Sequence, residues 1–208
     1  MDLHVHTSHS YDGRCSLRLL CRVLRRKGLD GFAFTDHDSL GALRELRLLP
    51  PSNLLVIPGI EVTSRHGHIL GLGVREPVPA GLGAEETVEL IREQGGVAVA
   101  AHPFWLSGKP GLVHHARFDA IEAFNSRSYF LSNPLALRYA RRKGLPITAG
   151  SDGHEEREVG LAYTEVEAER VEGVLEAIRK GETSIGGENL PLLSYLAKIL
   201  KKGLGLRW

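Results

Sequence analysis

The chain of 208 residues is 42% hydrophobic and 25% charged, ordinary proportions for a globular protein with one sizeable core rather than two full domains. A formal net charge of +1 offers no bulk electrostatic case for nucleic acid or a membrane surface. There is no leader-like start and no run of about twenty apolar residues to span a bilayer, so a soluble, cytoplasmic protein is expected.

Residues 2–7 alternate as a β-strand, with Leu3 and Val5 on one face and His4 and His6 on the other. Side chains two apart on a strand share a face, so both imidazoles point into one space and form a candidate pair of metal ligands. Asp12, just before Gly13 in a turn-rich segment, can add a carboxylate. Taken alone, the pair would more readily suit a polar strand face in water. Ser16 is placed to cap a helix over 16–27 that Gly28 closes, with Leu17, Leu20, Cys21 and Leu24 on its apolar side. Arg18, Arg22, Arg25 and Arg26 read as its solvated face. Cys15 and Cys21 both fall on this predicted helix and point to different faces, so free thiols in a reducing compartment are expected.

A buried-type strand over 31–35 follows, ending in Asp36-His37-Asp38; Ser39 then caps a short helix over 39–48, which Pro50-Pro51 stops. Short apolar runs at 54–57 and 60–63 flank Pro58-Gly59, and 66–74 reads as the next strand. A proline- and glycine-rich link at 77–83 leads to an amphipathic helix over 84–94, then to a strand over 97–101 ending in His102-Pro103. A strand over 119–124 ends at Asn125, a helix covers 134–143, and residues 145–149 run into Gly150-Ser151-Asp152-Gly153-His154. One more strand at 161–166 and one more helix at 171–180 complete the pattern. Strands alternating with helices imply a parallel sheet. The sequence divides into a barrel domain over 1–187 and a C-terminal helical extension over 188–208, with Leu192, Leu193, Leu196, Ile199 and Leu200 at helical spacing beside Lys198, Lys201 and Lys202. A helix docked on the barrel or on a partner subunit is expected there, with oligomerisation as one use of it.

The polar residues are placed with more regularity than the totals suggest. His4, His6, His37, Glu61, His68, His102, Asp152 and His154 all lie at or near the carboxyl end of an apolar strand, and in a barrel those ends converge on one rim. Only seven aspartates occur against eighteen glutamates, and Asp2, Asp12, Asp36, Asp38 and Asp152 lie close to a histidine in these motifs. Imidazoles and carboxylates gathered in one cup need a cation, because unpaired polar groups there are costly. Mixed His and carboxylate ligands suit zinc, manganese or iron, and about nine ligands exceed the needs of one ion, so two or three are implied.

Six motifs in order carry a family resemblance: Asp2-Leu3-His4-Val5-His6-Thr7 with Tyr11-Asp12-Gly13, Thr35-Asp36-His37-Asp38, Pro58-Gly59-Ile60-Glu61-Val62, His68-Ile69-Leu70-Gly71, Ala101-His102-Pro103, and Gly150-Ser151-Asp152-Gly153-His154. The set resembles the PHP (polymerase and histidinol phosphatase) family of metal-dependent phosphoesterases. The resemblance implies an α/β fold, a distorted (β/α)7 barrel of TIM-like type, with a two- or three-metal site at the carboxyl-end rim. It implies His4, His6, Asp12, His37, Glu61, His68, His102, Asp152 and His154 as ligands, with Glu61 bridging. Some members carry a large insertion between the motifs matching His68 and His102; here that interval is about thirty residues, taken up by one helix, which leaves little material for a lid.

The implied reaction is hydrolysis of a phosphate ester by a metal-bound hydroxide, on a phosphomonoester such as a nucleotide or histidinol phosphate, or on an oligonucleotide end. Asp152 and His154 are candidates for protonating the leaving oxygen. Arg127 and Asn125 follow a strand end, where a guanidinium can fork onto a substrate phosphate, although a surface arginine fits the sequence equally well. Arg14 and Lys109 are weaker candidates of the same kind. His9 reads as a solvent-facing loop residue, His66 as a runner-up ligand on the strand face of His68, and His114 and His115 as loop residues. Two rival readings remain. An amidohydrolase-like C–N hydrolase would favour a carboxylated lysine at a strand end, where none is found. A catalytically silent metal-binding module would be expected to have lost ligands.

Overall fold

The computed structural model describes residues 1–50, 53–105, 111–129 and 131–192. Seven strands pair in chain order into one sheet: β1 (Asp2–Val5), β2 (Gly31–His37), β3 (Leu55–Ser64), β4 (Gly67–Leu72), β5 (Val97–Ala100), β6 (Ala120–Asn125) and β7 (Ile147–Gly150). The sheet curls until its edges meet. Val5 and Gly153 form a parallel bridge, the Asp152 amide donates to the His4 carbonyl at 2.8 Å, and the His6 amide donates to the Gly153 carbonyl at 2.9 Å. A Cβ at Gly150 would lie 2.3 Å from the His4 Cβ, so only glycine lets β7 approach β1 this closely.

Helices α1 (Leu17–Arg26), α2 (Ala42–Leu46), α3 (Ala84–Glu93), α4 (Ser132–Lys143) and α5 (Val171–Lys180) lie outside the sheet. The Ser16 hydroxyl caps α1 by accepting from the Leu19 amide at 3.2 Å, and Leu17, Leu20, Val23 and Leu24 bury its inner face with Phe32 and Phe34. A second cluster joins Val88 and Ile91 of α3 to Ile60, Ile69 and Ile121 of the sheet. A third joins Val174 and Ile178 of α5 to Leu3, Leu70 and Val99. The barrel is therefore built from buried strands and from helices docked along one stripe, and this rigid frame fixes the strand ends.

Several details depart from the sequence reading. β4 runs antiparallel to both neighbours, so the barrel is not wholly parallel. Only Arg65 and His66 separate β3 from β4, which allows a hairpin and leaves no chain for a crossover helix. β3 runs unbroken through Pro58. A strand residue's N–H and C=O point the same way, and the Pro58 carbonyl accepts from the Gly73 amide at 2.7 Å, so the missing N–H costs only a rung at the end of the β4 pairing. Cys15 lies before α1 rather than in it; it is buried, and both cysteines are free. α2 begins at Ala42, because the Ser39 hydroxyl accepts from the Gly41 amide at 3.1 Å and makes a turn rather than a helix cap. β8 (Ala162–Glu165) pairs antiparallel with β9 (Ser184–Gly187), a strand with one apolar side chain and no alternation to betray it. Most of the expected C-terminal helix, and Lys109, lie outside the described residues.

Candidate metal centre

Most proposed ligands leave the frame at or near a strand end, and Asp12 comes from the loop after β1. His4 and His6 project from β1 and its continuation, His37 ends β2, Glu61 lies in β3, His68 in β4, and His102, Asp152 and His154 follow β5 and β7. His102 and Asp152 have positive φ values, +27° and +53°, in the region non-glycine residues rarely occupy. The backbone there is strained, and both side chains reach into the cup.

Glu61 is at the centre and is buried. Its Oε1 lies 3.0 Å from His68 Nδ1 and 3.0 Å from His102 Nε2. Its Oε2 lies 3.1 Å from His37 Nδ1, 3.3 Å from His6 Nε2 and 3.4 Å from His4 Nε2. Each oxygen thus faces its own histidines. Asp152 Oδ1 is 3.3 Å from His6 Nε2 and 3.8 Å from His4 Nε2, while Asp12 Oδ2 is 3.0 Å from His154 Nε2 and 3.6 Å from His37 Nε2. All nine sequence candidates fall into four overlapping groups whose ligand atoms lie within 4.8 Å of one another: His6-Asp12-His37-His154, His4-His102-Asp152, His4-His6-Glu61 and His37-Glu61-His68.

Several of these atoms converge without satisfying one another. His37 Nδ1, His68 Nδ1 and Glu61 Oε2 are buried and make no aligned hydrogen bond, although neighbours stand close. Nitrogen and oxygen lone pairs left in that state are costly in a protein interior unless a cation takes them. The donor set, imidazole and carboxylate without thiolate, fits zinc, manganese or iron.

Burial and charge oppose each other here. Burial disfavours ionised carboxylates, but the histidines around Glu61, led by His4 and His68, hold it well below the usual range; His4 and Arg127 do the same for Asp152. Burial likewise opposes charge on His6, yet Asp152 and Glu61 push it up to about 9. His4 is raised for the same reason, chiefly by Glu122 and Glu61. His154 goes the other way, to about 3, because burial, His6 and Arg127 all disfavour its protonated form. The neutral form of its imidazole is favoured, the form that ligates metal.

A layer of partners lies behind the ligands. Glu122 was not singled out by the sequence reading. It is buried on β6, its Oε1 2.8 Å from His4 Nδ1, and its Oε2 accepts from the His102 amide at 2.7 Å and from Asn125 Nδ2 at 3.1 Å. A carboxylate behind a histidine fixes the ring's orientation and tautomer. Its signal was present: it is the lone acid in the apolar strand Ala120–Asn125. The Ser10 hydroxyl donates to Asp12 Oδ1 at 2.9 Å and orders the loop after β1.

Asn125 is buried, donating to Glu122 and, at 3.3 Å, to Asp152 Oδ2, while its Oδ1 accepts from the Arg127 amide at 2.9 Å. Arg127 turns inward: Nη1 contacts His154 and donates to the Asp152 carbonyl at 3.3 Å, and its buried Nε has no hydrogen-bond partner among the described residues. The remaining histidines stay out of the cup. His66 lies in the β3–β4 turn rather than on the strand face of His68. Its Nδ1 accepts from the Ala84 amide at 3.1 Å, and its ring stacks on His115 at 3.9 Å. His114 meets Tyr139 edge-on, and His9 is exposed, 3.6 Å from Glu45. Among the described residues no helix is long and apolar enough to cross a membrane.

The PHP domain family matches residues 2–100, and the PHP-associated family matches residues 130–183. The Methanocaldococcus jannaschii protein MJ1587 is 33% identical over 138 residues, 60% of this chain and 81% of that one. The phosphoribosyl 1,2-cyclic phosphate 1,2-diphosphodiesterase of Eggerthella lenta is 38% identical over 86 residues, 38% of this chain but 32% of that protein. A solved Bacteroides vulgatus structure, a two-domain protein described as containing a predicted PHP-like metal-dependent phosphoesterase, superposes with a TM-score of 0.66 at 22% identity, over 90% of this chain and 64% of that one.

Proposed function

The chain belongs to the PHP family, and from that membership we propose that it hydrolyses phosphate esters with two or three divalent cations held by His4, His6, Asp12, His37, Glu61, His68, His102, Asp152 and His154. The observation that carries the reading is Glu61, whose two oxygens each face a separate set of histidines, as a carboxylate shared between two cations requires. When bound, zinc, manganese or iron supplies water activation near neutral pH and offsets charge on the phosphoryl oxygens.

The protein's own residues do the rest. Glu122 and Asn125 hold His4, His102 and Asp152 in place from behind. Arg127 sets a permanent positive charge beside His154 at the rim, where a substrate phosphate can draw the guanidinium outward. The substrate is a phosphomonoester, such as a nucleotide or histidinol phosphate, or an oligonucleotide end. The Eggerthella relative's phosphodiesterase name supports phosphate-ester chemistry without choosing among these.

The test is turnover of an aryl phosphate before and after removal of metal by a chelator at neutral pH. Activity should vanish on removal and return with zinc, manganese or iron. Undiminished turnover by metal-free protein would sink the proposal.

A further inference from the structure

Beside the loop that follows β1 lies a second hollow, of about 520 Å³, separate from the cup's ligands. It is lined by His9 from that loop, by Leu40, Arg44 and Arg47 from the segment after β2, and by Arg75 and Pro77 from the link between β4 and α3. Arg44 and Arg47 are three positions apart, on the same side of α2 and its cap. All three arginines are exposed, and none has an ion pair with a described residue. Glu45, the acid on the same helix, stands against the wall at His9: one oxygen lies 3.6 Å from His9 Nε2 and the other accepts from the Arg18 amide at 3.3 Å. Glu76 lies beside Arg75 in the chain and is exposed. The wall at His9 is tightly built, since a Cβ at Gly41 would stand 2.7 Å from His9 Nδ1.

Two residues beyond His9, at most about 7.6 Å between Cα atoms, is Tyr11. Its ring packs one face on His37, with centroids 4.9 Å apart and planes at 18°, and the residue is 84% exposed. The outer face of this ring is therefore free to meet a ligand that approaches the cup. Three guanidinium groups around one hollow suit phosphate, and an open aromatic ring beside them offers a stacking platform for a base.

We infer that this hollow is a backbone track for single-stranded nucleic acid, with phosphates on Arg44, Arg47 and Arg75 and a base on Tyr11, leading the strand's end to the metal cup. The inference rests on the phosphoesterase reading of the cup and extends it by naming a polynucleotide and its path. The chain's overall charge of +1 makes such binding local to the track.

The experiment is fluorescence anisotropy of a labelled single-stranded oligonucleotide with the full chain, held metal-free so that nothing is cleaved. The combined variant Arg44→Gln, Arg47→Gln, Arg75→Gln should bind at least tenfold more weakly, and its log-affinity against log-salt slope should be shallower by about 2, from about 0.7 per lost contact. Tyr11→Ala should weaken binding with the slope unchanged, and Tyr11→Phe should restore it. Parental affinity and slope in the triple variant would overturn the track. Inorganic polyphosphate competing as well as the oligonucleotide, with Tyr11→Ala indifferent, would assign the hollow to bare phosphate chains and overturn the nucleic-acid assignment. With metal restored, the triple variant should hydrolyse a small aryl phosphate at the parental rate. If no form of the protein hydrolyses it, the reading of the cup fails, while anisotropy still decides the track.

Discussion

Buried carboxylates occur in two settings in this barrel, and they behave oppositely. Asp2, in β1, and Asp36, in β2, are ringed by neutral donors. Asp2 accepts from the Ser151 amide at 2.9 Å, the Ser151 hydroxyl at 2.5 Å, the Gly160 amide at 2.7 Å and the His4 amide at 3.3 Å. Asp36 accepts from the amide and hydroxyl of Thr7 at 2.6 and 2.7 Å. Every donor is neutral, so burial prevails and raises both pKa values. Glu61 and Asp152 are as deeply placed but face imidazoles, and their pKa values fall well below the ordinary range. Depth alone therefore does not mark the site. The first pair stitches loops to strands; the second collects lone pairs and charge that only cations complete.

Swapping carboxylate for amide in each setting separates the two. Glu61→Gln should lose at least one metal ion and cut kcat/KM by more than about a hundredfold, beyond the 10–100-fold typical of an outer partner. Circular dichroism should report an intact fold, since the barrel stands on its buried strands. Asp2→Asn should do the reverse. Its new NH2 would confront the Gly160 amide or the Ser151 donors, costing about 1–3 kcal/mol of stability, with metal stoichiometry retained. Thermal melts and metal analysis of the pair check both halves. The smallest effect is expected at the rim: Arg127→Ala should leave metal content unchanged and raise KM by about 1–3 kcal/mol equivalent, with Arg127→Lys recovering part. A parental KM in the alanine variant would make Arg127 a structural partner of His154 only.

The convergence of the nine candidates was legible because strand alternation and strand ends are local properties. His4 and His6 share a face by period alone, and most later candidates follow an apolar run; His68 instead opens β4, and reaches the same rim only because that strand runs antiparallel, which the sequence reading did not foresee. The hairpin joining β3 to β4 was equally readable, since two residues cannot hold a crossover, yet the regular rhythm of the other units concealed it. Glu122 escaped because its meaning depends on His4 lying across the barrel, 118 positions away in the chain. The inward turn of Arg127 depends on the closure of β7 against β1, and β9 has no apolar period at all. Long-range pairing, not local propensity, is what the sequence conceals.

Metal uptake by the full chain, with protons counted as the ions bind, tests the cup most directly. His6 is held up to about 9 by Asp152 and Glu61 against burial, so at neutral pH an entering cation must displace its proton. For the metal-free protein the same shift contributes stability that is complete below about 6.5 and is lost as pH rises through about 9. Calorimetric titration with zinc or manganese in buffers of different ionisation enthalpy should show more than one ion per chain and net proton release. Affinity should weaken by about tenfold per pH unit for each proton displaced as the solution is acidified. Absence of uptake at neutral pH, or uptake indifferent to both pH and Glu61→Gln, would contradict a cup organised around shared cations.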